Sequence, residues 1–250
     1  MLSSNQILND EIPEDSHVME LWKPFNFDLS RDYRYIHKDF IFNFFSNLLY
    51  YLIAAPILFI LTKIIFDIKF EGRENIASIK GGKITVCNHV NSLDCGLIGL
   101  ANLPKKVYFT SLESNFQIPV VRHLIRLLNT IPIPQNSSCK KDFIKVINKL
   151  LQSGSTIHFY PEGSLWPYYR KIRNFKTGAF DFAVKNKVPI IPCVIKFRSP
   201  TGIRKLFKRK DCITLKILEP EYPNISLEKK SQVIELKDRV HKKMEKANQQ

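Results

Sequence analysis

The feature that most constrains this chain is the run from Phe40 to Thr62, FIFNFFSNLLYYLIAAPILFILT, which holds 23 residues without a charge, 18 of them apolar. Coiled as a helix it would be about 34 Å long, close to the hydrocarbon thickness of a bilayer. Arg31, Arg34 and Lys38 precede it and Lys63, Lys69 and Arg73 follow. Cations therefore stand at both edges, where lipid phosphates would lie, and give no orientation. Pro56 removes one helical hydrogen bond within the run, so the expectation is a kinked span or two short helices lying in one leaflet. The competing reading is a buried helix of a soluble core, although core helices rarely run so long without charge. The chain does not open on a basic region followed by an apolar core, so a cleaved signal peptide is not expected.

Charge is distributed unevenly around this run. Residues 1–39 hold 8 acidic and 4 basic side chains, and the other 211 residues carry 34 basic and 15 acidic ones, so the overall +15 divides into −4 and +19. That excess favours anionic partners such as lipid head groups, nucleic acid or phosphorylated metabolites. Residues 196–210, KFRSPTGIRKLFKRK, contain seven basic residues with Ile203, Leu206 and Phe207 interleaved. The segment reads equally as one that lies on an anionic membrane or as a solvated loop. Nucleic acid is not expected as a partner, because no recognised binding module accompanies the basic residues. The five cysteines, Cys87, Cys95, Cys139, Cys193 and Cys212, are odd in number and widely spaced. They read as free, mostly buried thiols in a reducing, cytosolic body, with neither a disulfide framework nor a zinc pattern.

Beyond residue 66 the chain alternates strand-like and helix-like segments. Lys83–Cys87, Lys106–Thr110, Ser155–Tyr160, Ile190–Phe197 and Ile213–Leu218 read as strands; Leu93–Asn102, Val120–Leu128, Lys140–Leu151 and Gly178–Asn186 read as helices between them. This predicts an α/β fold with a mostly parallel central sheet flanked by helices. A final helix over about Leu227–Lys246 places Val233, Leu236, Val240 and Met244 on one face. The organisation expected is an acidic segment over 1–39, a membrane-associated helical segment over 40–66, and an α/β domain over 67–250.

Two constellations carry chemistry. The strand ITVC runs into Asn88-His89-Val90-Asn91-Ser92-Leu93-Asp94. Five residues apart on one helix, His89 and Asp94 would point about 140° from each other. The geometry that unites them puts His89 on the loop leaving the strand, Asn91 or Ser92 as N-cap, and Asp94 in the first helical turn. Asp94 then holds one imidazole nitrogen and leaves the other as a base for a hydroxyl. The second constellation is Phe159-Tyr160-Pro161-Glu162-Gly163-Ser164, followed by Phe175-Lys176-Thr177-Gly178. It puts a carboxylate and a flexible glycine at the same sheet edge. Arg170, Lys171 and Arg173 between them form a basic group suited to phosphate. Val188-Pro189-Ile190-Ile191-Pro192-Cys193 opens the next strand, with prolines better suited to its entry than to its centre. Cys87 and Cys95 flank His89, but they fall inside a strand and a helix and read as core residues.

As an ordered set, NHVNSLD, FYPEGS, FKTGAF and VPIIPC resemble the glycerolipid acyltransferases of the lysophosphatidic acid acyltransferase type, over roughly Phe70–Pro220 with a lead-in at Gly72-Arg73-Glu74-Asn75. An N-terminal membrane-binding helical motif is typical of that family. The resemblance implies transfer of a fatty acyl group from a thioester, on acyl carrier protein or coenzyme A, to the hydroxyl of a lysophospholipid, most simply 1-acyl-sn-glycerol-3-phosphate. His89 would be the general base and Asp94 its orienting partner. Glu162, Gly163 and Ser164 would meet the acceptor, with Arg170, Arg173 and Lys176 as phosphate-binding cations. It implies membrane phospholipids as partners, no metal, no cofactor beyond the thioester co-substrate, and a catalytic domain on the cytoplasmic side of a membrane. Where the family often carries basic residues this chain has Leu165, Ser111 and Gln135. The alternatives are an acyltransferase with another acceptor, or a non-catalytic lipid-binding protein on the same fold.

Overall fold

The computed structural model describes residues 29, 33–37, 39–202, 204–207 and 211–249. Most of the acidic segment over 1–39, with Arg31 and Lys38, lies outside the described residues, as do Ile203 and residues 208–210 of the basic stretch. From Phe40 to Phe66 the chain forms one helical run of 27 residues, long and apolar enough to cross a membrane. It consists of α1 (Phe40–Leu48), a π-helical stretch (Leu49–Ala54) and α2 (Ala55–Phe66). Pro56 sits in the first turn of α2. A π-helical turn precedes it and the run continues without a break, where two separate helices were an alternative expectation. It stops where Asp67 adopts a left-handed φ of 46°, and Arg198 Nη2 donates to the Asp67 carboxylate at 2.7 Å. Phe40, Ile41, Leu52 and Ile64 point outward, each at least 66% exposed.

Among the described residues seven strands follow: β1 (Lys69–Glu71), β2 (Lys83–Cys87), β3 (Val107–Leu112), β4 (Thr130–Ile133), β5 (Thr156–Phe159), β6 (Ile190–Arg198) and β7 (Cys212–Ile217). Their order in the sheet is β1-β7-β6-β2-β5-β3-β4. Neighbours pair in parallel except β6 with β7. The expected mostly parallel α/β architecture is therefore present. Two short strands that the sequence pattern does not reveal, β1 and β4, close its edges, where a brief strand limits further pairing. Pro132 of β4 is tolerated on such an edge.

Between the strands lie α3 (Glu74–Ala77), α4 (Asp94–Asn102), a 3₁₀ turn (Glu113–Gln117) with α5 (Pro119–Leu127), α6 (Ser137–Gln152), α7 (Gly178–Asn186) and the short α8 (Arg204–Phe207), and α9 (Lys229–Gln249) follows β7. Helix α6 begins three residues earlier than its apolar pattern, because Asn136 caps it by accepting the Ser138 N–H. Helix α9 buries Val233, Leu236, Val240 and Met244, the face its spacing predicts.

Strand β2 is buried along its whole length, as a central parallel strand must be when helices cover both faces. Ile84 and Val86 enter one core with α6, α7 and α9, while Cys87 enters the other with α4 and Trp166. Pro192 lies inside β6, at a position where only strand entry was expected. Its carbonyl still accepts Leu218 N–H at 2.8 Å, just past the end of β7, so Pro192 keeps one of its two ladder groups at the margin of that pairing. The apolar helical run rests on α4 at two glycines. A Cβ on Gly96 would meet Leu58 Cδ2 at 3.1 Å and one on Gly99 would meet the Tyr50 hydroxyl at 3.2 Å. Lys106 Nζ completes the seam by donating to Ser46 Oγ at 2.8 Å.

Candidate active site

Strands β2 and β5 are neighbours, with Val86 opposite Phe159. The loops leaving their carboxyl ends therefore emerge side by side, the position at which open α/β sheets hold ligands. The first loop is fixed by Asn88, whose side chain behaves as one more strand residue: Nδ2 donates to Ile195 O at 3.1 Å and Oδ1 accepts from Ile195 N at 2.8 Å. His89 follows at once. Its Nδ1 lies 3.1 Å from Asp94 Oδ2, with the carboxylate fully buried and the imidazole about a quarter exposed.

The same Asp94 oxygen accepts the N–H groups of Val90 at 2.7 Å and Asn91 at 2.8 Å. These bonds hold residues 90–93 in a turn, so α4 starts at Asp94 with Leu93 as its N-cap. This differs from the expected cap at Asn91 or Ser92. Asn91 acts one step earlier, its Oδ1 accepting Leu93 N–H at 2.9 Å. Burial pushes the Asp94 carboxyl up, and the bonds from His89, Asn91 and Val90 oppose that push.

The second loop lies directly on the first. Trp166 N–H donates to His89 O at 3.0 Å and Tyr168 N–H to Val90 O at 2.9 Å. Glu162 is 97% buried and uses both oxygens. Oε2 accepts His89 N–H at 3.2 Å and Arg173 Nη2 at 2.8 Å, and Oε1 accepts Arg173 N–H at 3.1 Å. Arg173 is equally enclosed: its Nη1 donates to Ser164 Oγ at 2.9 Å and its guanidinium lies 4.5 Å from the centre of the Trp166 ring. Burial pushes the Glu162 carboxyl up, with Arg173 pulling it back down. A guanidinium does not release its proton, so the carboxylate is the group that balances it.

The residues singled out from the sequence thus divide in space. His89 and Asp94 come together as the spacing argument requires. Glu162, Ser164 and Arg173 meet one another in a buried brace under the His89 loop, where contact with an acceptor was expected. Arg170 stands at the surface, paired with Asp211 and 5.5 Å from the Phe197 ring. Gly163 takes a φ of +83°, so glycine is favoured by the backbone, and a Cβ there would stand 2.9 Å from Cε of the flexible Lys176 side chain. The Gly163 N–H donates to Tyr160 O and closes the turn. Lys176 is exposed beside it.

Gln135 N–H donates to Glu113 Oε2 at 2.9 Å, and Ser111 Oγ accepts from Asn115 at 2.7 Å. Of the flanking cysteines, Cys87 is buried and its thiol is pushed well up by that burial, whereas Cys95 faces outward from α4, unlike the buried thiol expected there.

Three residues escaped the sequence reading. Tyr160 stacks on His89 with ring centres 3.8 Å apart and planes within 13°. The edge of His158 meets Tyr160 at 4.5 Å and 83°. Thr85, opposite His158 in the sheet, lies 2.8 Å from His158 Nδ1 through its hydroxyl. The available signal was the period of two that puts residues 158 and 160 on one side of the strand; register with β2 is not written in the sequence.

The profile of the Acyltransferase family matches residues 67–196, just over half of the chain. Over 131 residues the chain is 30% identical to a chloroplastic 1-acyl-sn-glycerol-3-phosphate acyltransferase of Arabidopsis thaliana, covering 52% of this chain but only 36% of that protein. It is 28% identical over 161 residues to the 1-acyl-sn-glycerol-3-phosphate acyltransferase of Saccharomyces cerevisiae, covering 62% of this chain and 51% of the yeast protein. The crystal structure of the 1-acyl-sn-glycerophosphate acyltransferase of Thermotoga maritima aligns with a TM-score of 0.54 at 22% identity, over 84% of this chain and 98% of that one. That likeness is one of fold.

Proposed function

The chain belongs to the Acyltransferase family, and from that premise we propose that it moves a fatty acyl group from an acyl thioester to the hydroxyl of a lysophospholipid, in phospholipid biosynthesis. The observation that carries this reading is the His89–Asp94 pair at the carboxyl end of β2, 3.1 Å apart, with the carboxylate enclosed and the imidazole open to solvent. Held through Nδ1, the ring offers Nε2 to the acceptor. Nε2 takes the hydroxyl proton as the oxygen attacks the thioester carbonyl. The tetrahedral intermediate then expels the thiolate, which takes the proton back from the imidazolium. The thioester is already activated, so no covalent enzyme intermediate is needed. Asp94 keeps the tautomer and attracts the charge that forms on the ring.

In this reading Glu162 and Arg173 are positioning residues that fix the His89 backbone, and Lys176, exposed beside Gly163, is the cation offered to an acceptor phosphate. The acyl donor is the thioester of acyl carrier protein or coenzyme A, and the acceptor is 1-acyl-sn-glycerol-3-phosphate. An acceptor with another head group is the second reading, favoured by the enclosure of Arg173 and the pairing of Arg170 with Asp211. The exposed apolar surface of α1 and α2 supports attachment to a membrane, and the five unpaired cysteines support a catalytic body on its cytoplasmic side.

The test is thiol release from acyl-coenzyme A and acyl-carrier protein with a panel of lysolipids on vesicles. Release with lysophosphatidic acid, abolished in His89→Ala while vesicle binding persists, is the expected result; a loss of about a thousandfold or more is the scale for removing a base. Full turnover in His89→Ala would overturn the mechanism, and no release with any acceptor would leave a lipid-binding protein.

A further inference from the structure

The bond from Nδ1 to Asp94 restrains the His89 imidazole along one edge and supports neither of its faces. The Tyr160 ring covers one face, lying 3.8 Å away and within 13° of parallel. Resting on the reading of His89 as the base, we propose that Tyr160 is a positioning residue whose ring face sets the plane of the imidazole and attracts the positive charge formed on it as the acceptor proton is taken. An aromatic face against a forming cation is favourable, and more so in a partly dry site.

Tyr160 is fixed in turn by its own neighbours. His158 stands edge-on to it at 4.5 Å and is anchored by Thr85 Oγ1 at 2.8 Å. Thr110 Oγ1 donates to His158 O at 3.0 Å, pinning the backbone two residues before Tyr160. A column of three rings therefore runs from the sheet interior to the candidate base. The Tyr160 hydroxyl makes no hydrogen bond among the described residues, and the contact with His89 is made by the ring face.

The experiment compares Tyr160→Phe, Tyr160→Leu and His89→Ala in full-length protein on vesicles, measuring thiol release with separate kcat and KM values for donor and acceptor. Tyr160→Phe is expected to stay within about twofold of wild type. Tyr160→Leu is expected to lose about tenfold in kcat with both KM values unchanged, the scale of one misplaced or less stabilised group. Should the leucine variant not fold, Tyr160→Met supplies the same comparison with a flexible side chain in the same space. Wild-type kcat in the aliphatic variant overturns the inference, and so does a Tyr160→Phe loss as large as that of leucine, which would assign the role to the hydroxyl. If His89→Ala keeps its turnover, the reading of the site fails; if only Tyr160→Leu does, the reading stands and the ring's role falls.

Discussion

His158 occupies a position where a parallel strand ordinarily carries an aliphatic side chain. It is 1% exposed. Burial, reinforced by the nearby His89, pulls its imidazole down from 6.5 to about 3. The folded state therefore refuses a proton that the unfolded chain binds, so this residue's contribution to stability is complete above about pH 6.5 and is lost progressively as the pH falls toward 3. We predict that urea midpoints decline between about pH 6.5 and pH 4, and that His158→Asn, which keeps a hydrogen-bonding partner for Thr85, flattens that decline. An identical acid slope in both proteins would show that other groups set it. His158 and Tyr160 illustrate what was hidden at this scale. Their types were visible, but Thr85 comes from β2, 73 positions before His158, and His89 from the loop that follows β2, and only register brings them together.

Among the elements, those with a strong period of their own were legible. Strand β2 and helix α7 fall on their predicted bounds, and the buried face of α9 is the one its spacing gives. Those that depend on neighbours were not. Strands β1 and β4 have three and four residues, too few to show alternation, and exist because β7 and β3 offer an edge. The N-cap of α4 shifted because a carboxylate inside the helix bonds the turn before it. The seating of α2 on α4 is another neighbour effect. Gly96 leaves room for Leu58, with a Cβ position only 3.1 Å from that side chain. Gly96→Val should overpack this seam and destabilise the protein by about 1–3 kcal/mol, read as a lowered denaturation midpoint in detergent micelles. An unchanged midpoint would mean that the helical run is not packed there in solution.

At the scale of the molecule, one side of the body carries a 27-residue apolar run whose outward side chains include Leu52 and Ile64, 68% and 66% exposed. Transfer of such side chains out of water is worth about 1.5–3 kcal/mol each. Leu52→Asp with Ile64→Asp should therefore weaken sedimentation with vesicles by tenfold or more, while thiol release with a short-chain, water-soluble acceptor is retained. Equal sedimentation of the variant would move the membrane face elsewhere. The run's length and lack of charge made this surface legible from the start, whereas its π-helical turn at residues 49–54 did not show in composition.

The backbone of His89 is clasped at both ends of its own peptide units: Glu162 takes its N–H and Trp166 supplies a donor to its carbonyl. The peptide units that carry the imidazole therefore have little freedom of their own. A shift of the 162–173 stretch carries the backbone of the base with it, so adaptation to head groups and placement of the reacting centre are mechanically one movement.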